Sequence, residues 1–159
     1  MDSDAKKFYF EILTPDGVCF QGDVNSVTLP ALDGYLGILA GHAPVTAIVS
    51  TGTVTIRKTD GGSDEDWFVS HGFCQMQQNH LALMAEESKP LTELDPERAW
   101  DLLQLAYKMP KDTVEQRAVR DQAVHECRIR FSLAQKAKKA KTGSMMDFKN
   151  LMSPGDEKK

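Results

Sequence analysis

Turn-forming residues recur every eight to twelve positions through about the first 80 residues of this chain, and this spacing sharply limits its fold. Between the turns lie short runs rich in β-branched and aromatic residues, such as the alternating "FYFEIL" at 8–13. Alternation with a period of two places apolar side chains on one face of a strand. The pattern predicts an all-β, antiparallel sandwich or flattened barrel at the N-terminus.

Three local signals refine this prediction. The segment "TPDG" at 14–17 has proline at its second position, which is typical of a β-turn. The apolar positions Val24, Val27 and Leu29 change phase, which predicts a β-bulge. The polar, glycine-containing segment at 59–66 predicts a hairpin loop.

The apolar period becomes helical after Pro90. Asp95 is placed to cap a first helix, Pro96 stands at its first position, and Pro110 ends it. Apolar residues follow at helical spacing, namely Ala99, Leu102, Leu103 and Ala106. The sequence therefore predicts a helix directly after the sandwich.

A second helix is predicted to begin near Thr113, which with Gln116 forms a capping box, and to run to about Lys141. At 1.5 Å per residue this helix is roughly 40 Å long. Its apolar stripe is thin, so we expect the helical hairpin to move relative to the sandwich. The domains are then a sandwich over 1–90, a hairpin over 91–141 and a disordered tail over 142–159.

Charge divides the chain in the same way. Residues 1–90 hold 5 Lys and Arg against 12 Asp and Glu, whereas residues 113–141 hold 8 against 3. No apolar run approaches the roughly 18 residues that a membrane span needs. The polar start suggests no leader peptide, and three cysteines without CxxC spacing fit a reducing, cytosolic compartment.

Motifs for catalysis are not found in the sequence. There is no phosphate loop, no nucleophile elbow and no HExxH, so we predict neither catalytic residues nor a metal site. A small sandwich enzyme using His42 or His71 remains an alternative. Another is a stand-alone binding module whose basic helix meets an acidic partner; the acidic front half argues against nucleic acid as that partner.

The glycine-rich segment "DGYLGILAGHAP" at 33–44 is predicted to be a loop that contacts another protein. Its glycines permit tight reversals. Leu36, Ile38 and Leu39 are expected to anchor it from beneath, leaving an amphipathic patch at the rim. The candidate contact residues are Asp33, Gly34, Tyr35, Gly37, His42 and Pro44.

Several strings together resemble the epsilon subunit of F-type ATP synthase: residues 12–44, "GTVTIRK", "FVSHGFCQMQQNHLALMAE" and "LDPERA". The resemblance covers about 130 of the 159 residues. It implies a sandwich with a C-terminal helical pair and a non-catalytic part of the central stalk. The implied partners are the gamma subunit, the c-ring and the alpha and beta catalytic subunits, on the cytoplasmic face of the bacterial inner membrane.

The resemblance also implies that the hairpin regulates the complex. An extended hairpin would place its basic second helix against the catalytic subunits and restrain ATP hydrolysis while the sandwich couples proton flow to synthesis. The candidate residues for this contact are Arg117, Arg120, Arg128, Arg130 and Lys136.

An ATP-binding element of some bacterial members is matched by Leu94, Asp95, Arg98 and Ala99. Lys89 stands where ATP-binding relatives place a glutamate, and Leu105 where they place a second arginine. A triphosphate needs several convergent cations. We therefore expect weak regulatory ATP binding or none, and no other cofactor.

Overall fold

The computed structural model describes residues 6–143, which form a β-sandwich followed by a helical hairpin and so confirm the predicted fold class. The strands are β1 (Phe8–Thr14), β2 (Gly17–Ala31), β3 (Gly34–Leu39), β4 (Val45–Val49), β5 (Gly52–Lys58), β6 (Glu65–Val69), β7 (Gly72–Gln77), β8 (His80–Ala85) and β9 (Ser88–Pro90). A short 3-10 helix at Leu91–Glu93 precedes α1 (Pro96–Tyr107) and α2 (Val114–Gly143).

The long strand β2 joins the two layers of the sandwich. Its first half pairs with β1, and its second half pairs with β3 and β5. The sheet order is β1-β8-β7-β4-β2-β5-β6-β9, with β3 beside β2 and β1 closing onto β2. One continuous sheet therefore folds back on itself, as in a flattened barrel.

One strand pair departs from the predicted antiparallel arrangement. β1 lies parallel to β8, with Phe10 opposite Leu81 and Ile12 opposite Leu83. β1 is joined to β2 by a tight turn, which fixes their antiparallel pairing. Its other edge meets a strand more than 60 residues later in the chain, where no local turn sets the direction.

The predicted turns and bulge are present. Pro15 and Asp16 connect β1 to β2, and the β2–β5 register shifts between Val24 and Ser26 as the phase change indicated. β7 and β8 are joined by Gln78 and Asn79, both with positive φ, as a tight two-residue hairpin requires.

The sandwich has its own core. Alternate residues of the strands point inward and are fully buried, so the interior is closed before either helix is considered. Its largest fully buried members are Phe8, Phe10, Ile12, Leu29, Ile38, Ile56, Met76, Leu81 and Leu83.

Both helices begin at the predicted caps. Asp95 Oδ1 accepts a hydrogen bond from the Glu97 amide at 3.0 Å. The Gln116 backbone N–H donates to Thr113 Oγ1 at 3.1 Å. The Thr113 backbone N–H donates to Gln116 Oε1 at 3.2 Å, which completes the capping box. Neither helix within residues 6–143 has an apolar stretch long enough to cross a bilayer.

The two helices pack on each other through a small apolar cluster. Leu103 and Ala106 of α1 are buried against Val124 of α2. Trp100 and Phe131 add an aromatic contact with ring centroids 5.2 Å apart. α2 continues to Gly143, and the remainder of the predicted tail lies outside the described residues.

The hairpin docks on the sandwich through Phe68 of β6. Trp67 and Val69 point into the sandwich core, so Phe68 between them points to the opposite side of the strand. There it is fully buried with Leu94, Ala99 and Ala134. Both faces of β6 are therefore covered.

Candidate functional site

The segment predicted to be a glycine-rich loop is mostly a strand. Gly34–Leu39 forms β3, and only Asp33 before it and residues 40–44 after it lie outside the strand. Ile38 is fully buried and Leu36 is half-buried, whereas Leu39, predicted to be an anchor, is 63% exposed. The loop prediction was wrong because pairing with β2 overrides the local preference of the glycines, and strand alternation then turns Leu39 outward.

The predicted contact residues of this segment fall into two groups. Asp33, Gly34 and Tyr35 lie at the tip of the β2–β3 hairpin, where Tyr35 is 77% exposed. His42 and Pro44 lie beyond the opposite end of β3. The strand, with Gly37 in its middle, separates the groups, so the expected single patch of Tyr35 and His42 is not formed.

An apolar row crosses the outer face of the sheet, and we call it the outer-sheet row. It comprises Leu13, Met84, Phe73 and Ile48, which are direct partners across β1, β8, β7 and β4. Ile48 is 59% exposed and Phe73 46% exposed. The neighbouring row on the same face is more polar, with Gln75 opposite Thr46. Four aligned apolar side chains on an outer face are typical of a docking surface.

A groove of about 540 Å³ lies between β6, β9 and the two helices, and we call it the hairpin groove. The four residues predicted for ATP binding line one side of it. Leu94 and Ala99 are buried, and Asp95 already caps α1. Arg98 is exposed and forms no side-chain ion pair within the described residues.

An ion pair crosses the hairpin groove. Arg130 of α2 donates from both terminal nitrogens to the two carboxylate oxygens of Glu87, one of them at 3.0 Å. Lys89 Nζ lies 2.9 Å from Glu87 Oε1. Burial by itself raises the pKa of Glu87, but the hydrogen bonds from Arg130 and Lys89 outweigh it and lower that pKa to about 2. Glu87 is therefore a carboxylate under ordinary conditions.

A histidine makes a second bridge between the sandwich and α2. His71 Nε2 lies 3.1 Å from Glu86 Oε2, and its Nδ1 lies 3.2 Å from Glu126 Oε1 on α2. Only the protonated imidazole donates to both carboxylates at once. Glu126 and Arg130 are one helical turn apart, so both bridges lie on one face of α2.

The residues predicted for the inhibitory basic helix are spread around α2. Arg120 and Arg128 both approach Tyr107 at the end of α1, and Arg128 donates two hydrogen bonds to its hydroxyl, at 2.9 and 2.7 Å. Arg130 is held in the hairpin groove by Glu87. Arg117 and Lys136 are exposed. Three of the five are thus engaged within the chain while the hairpin is docked.

The family is identified from the sequence of the sandwich. Residues 7–90 match the model of the family described as "ATP synthase, Delta/Epsilon chain, beta-sandwich domain". The chain belongs to the ATP synthase delta/epsilon family.

Relatives in this family include the ATP synthase epsilon chain 1 of Nitrobacter hamburgensis, 36% identical over 88 residues. The ATP synthase epsilon chain of Rhodopseudomonas palustris is 34% identical over the same length. Each alignment covers 55% of this chain and 64% of the relative. Sequence similarity to these members thus spans a little less than two thirds of their own length.

Solved structures extend the fold similarity into the hairpin. A chain of the Euglena gracilis mitochondrial ATP synthase has a TM-score of 0.66 at 20% identity, covering 78% of this chain and 79% of that one. A chain of the Tetrahymena thermophila central stalk and c-ring has a TM-score of 0.64 at 16% identity, covering 79% and 95%. At this identity the likeness establishes the fold alone.

Sequence reasoning missed the outer-sheet row and the ion pair of Glu87. The sequence did contain a sign of the row. In "FYFEIL" the alternation places Leu13 on the outer face, where an apolar residue is unusual. The sequence contained no sign of the Glu87–Arg130 pair. The two residues are 43 positions apart, and neither differs in its neighbouring residues from other charged residues of the chain.

Proposed function

We propose that this chain is a non-catalytic subunit of the rotor of an F-type ATP synthase, joining the gamma subunit to the c-ring. In that position it would couple proton translocation to ATP synthesis. The observation that carries the proposal is the outer-sheet row on a sandwich of this family. The row would lose water on binding, and burial of its exposed side chains would supply the driving force.

Two surfaces suit two partners. The outer-sheet row is apolar and runs across four strands, which fits an elongated partner such as gamma. The β2–β3 hairpin tip carries Tyr35 and Leu32, which is 68% exposed, on a narrow projection. A narrow tip fits a shallow contact with the polar loops of a ring. The complex is membrane-bound through its other subunits, so this chain would be peripheral.

The hairpin is proposed to restrain ATP hydrolysis when it leaves the sandwich. Undocking would free Arg130 from Glu87. Arg120 and Arg128 would lose their contacts with Tyr107 only if α1 and α2 separate from each other. Together with Arg117 and Lys136 these cations would face the acidic segments of the alpha and beta subunits.

The Ile48→Ser/Phe73→Ser double variant tests the docking surface. Both side chains lie on the outer face and are about half exposed, so the fold should persist. Affinity for the gamma subunit should fall about 100-fold because the two most exposed apolar anchors of the row are lost. Binding of purified gamma by calorimetry measures this. The matched control is Thr46→Ser/Gln75→Ser on the adjacent row of the same strands. Equal affinity of the double variant and the control for the gamma subunit would contradict the proposal.

Removing residues 95–159 tests the regulatory role. Within residues 6–143 the sandwich core contains no helical residue, so the truncated chain should fold and assemble. ATP hydrolysis by the reconstituted complex should then rise severalfold because the inhibitory helix is gone. Hydrolysis is compared at equal subunit stoichiometry, confirmed by gel. An unchanged rate in a fully assembled complex would show that the hairpin does not inhibit.

A further inference from the structure

We propose that Glu87 closes the hairpin from within the chain by occupying the position that an anionic ligand would need in the hairpin groove. The docked hairpin of this protein is then independent of nucleotide. This closure is a property of the isolated chain and does not depend on the rotor assignment.

The charges of the groove do not suit a triphosphate. Its lining holds more acids than cations, namely Glu87, Glu93, Asp95 and Glu126 against Lys89, Arg98 and Arg130. Two of those cations already contact Glu87. A triphosphate would have to displace the Glu87 carboxylate and would still lie beside the remaining acids. Among the described lining residues, Arg98 is then the one cation not already paired with Glu87.

Glu87 is held in place for this contact. Its backbone amide donates a hydrogen bond to Ser70 Oγ at 2.7 Å, and the Ser70 amide donates to the Glu87 carbonyl at 2.9 Å. These bonds fix the residue beside β6 whatever its side chain does. The carboxylate is therefore presented to α2 without the entropic cost of ordering a free loop.

Arg130 is also prearranged. Its guanidinium carbon lies 4.6 Å from the centroid of the Phe68 ring, and the side chain is 18% exposed against 36% for Glu87. The guanidinium thus stacks on the residue that anchors the hairpin while both of its outer nitrogens meet one carboxylate. A two-point contact of this kind is stronger and more directional than a single ion pair. Losing Glu87 would leave a poorly solvated cation over an aromatic ring.

Hydrogen–deuterium exchange across residues 124–134 tests both parts of the inference, since these amides are protected when α2 is docked. In the wild-type full chain, exchange should be the same with and without magnesium-ATP. Glu87→Gln should speed exchange about tenfold, the loss expected for a partly exposed charge-assisted pair. Arg130→Gln, acting from the helix side, should do the same.

The matched control is Glu93→Gln, which removes the same charge from the rim of the same groove. Glu93 is exposed and has no side-chain hydrogen bond or ion pair among the described residues. Amide exchange across residues 124–134 in Glu93→Gln should equal that of the wild type. Protection of wild-type α2 by magnesium-ATP would overturn the inference, as would equal exchange in Glu87→Gln and Glu93→Gln. Far-ultraviolet circular dichroism confirms in each variant that the sandwich is folded.

Discussion

Phe68→Ala is expected to release the helical hairpin from the sandwich. Phe68 is fully buried among Leu94, Ala99 and Ala134 and also supports the Arg130 guanidinium. Removing the ring opens a cavity at the junction of the two parts, and a buried Phe→Ala change costs about 3–5 kcal/mol. Because the sandwich core does not include Phe68, that cost falls on docking.

The measurement is small-angle scattering together with urea unfolding. The variant should show a larger radius of gyration and a transition for the hairpin that precedes that of the sandwich. Phe73→Ala on the next strand is the matched control, since Phe73 is 46% exposed and should change stability by less than about 1 kcal/mol. A compact Phe68→Ala chain with a single transition would show that the hairpin is held chiefly by other contacts.

The sequence predicts local structure well where one residue type has one physical role. Asp95 before Pro96, and Thr113 three residues before Gln116, satisfy helix ends that would otherwise be unpaired, and both caps form. The alternation of β1 and the change of phase after Val24 likewise predict burial and a bulge that are present. These signals act within a few residues and depend little on the rest of the fold.

Interactions between distant segments were not predictable in the same way. The run of Trp67, Phe68 and Val69 shows only that β6 is apolar. Docking of the helices is what buries Phe68 on the outer face of that strand. The glycines of β3 favour a loop locally, yet pairing with β2 makes a strand of them. The parallel contact of β1 with β8 and the Glu87–Arg130 pair are also fixed only when the whole chain closes.

Two bridges to α2 add to the apolar contact that docks the hairpin on the sandwich. Its apolar contact with the sandwich is small, comprising Phe68 and a few helical residues. The ion pair of Glu87 with Arg130 beside it depends on charge, and His71 adds a second polar contact to Glu126. Partly exposed charge pairs are weakened by salt and by competing charges far more than apolar cores are. We therefore expect a charged partner to weaken docking.

Gly72→Ala is expected to disrupt the sandwich itself. A Cβ at Gly72 would lie 1.9 Å from the Met84 carbonyl oxygen and 2.9 Å from Ala85 Cα, both backbone atoms of the paired strand. Since β7 also pairs with β4 on its other side, the strand cannot move away without breaking one ladder. Overpacking of this kind costs about 1–3 kcal/mol and occasionally more.

Gly37→Ala provides the opposite case for the same chemical change. Gly37 also lies within a strand, but among the described residues no atom is found within 4 Å of the position that an alanine Cβ would take there, and its φ is not in the left-handed region. Alanine at this position should leave stability unchanged or raise it by about 0.4–1 kcal/mol, because it restricts the unfolded chain. Urea unfolding of the two variants beside the wild type makes the comparison.

Because Gly72 directly precedes Phe73, whose partner on β8 is Met84, Gly72→Ala should also weaken binding at the outer-sheet row. Equal stability of the two variants would contradict the close strand approach, and with it the alignment of the row.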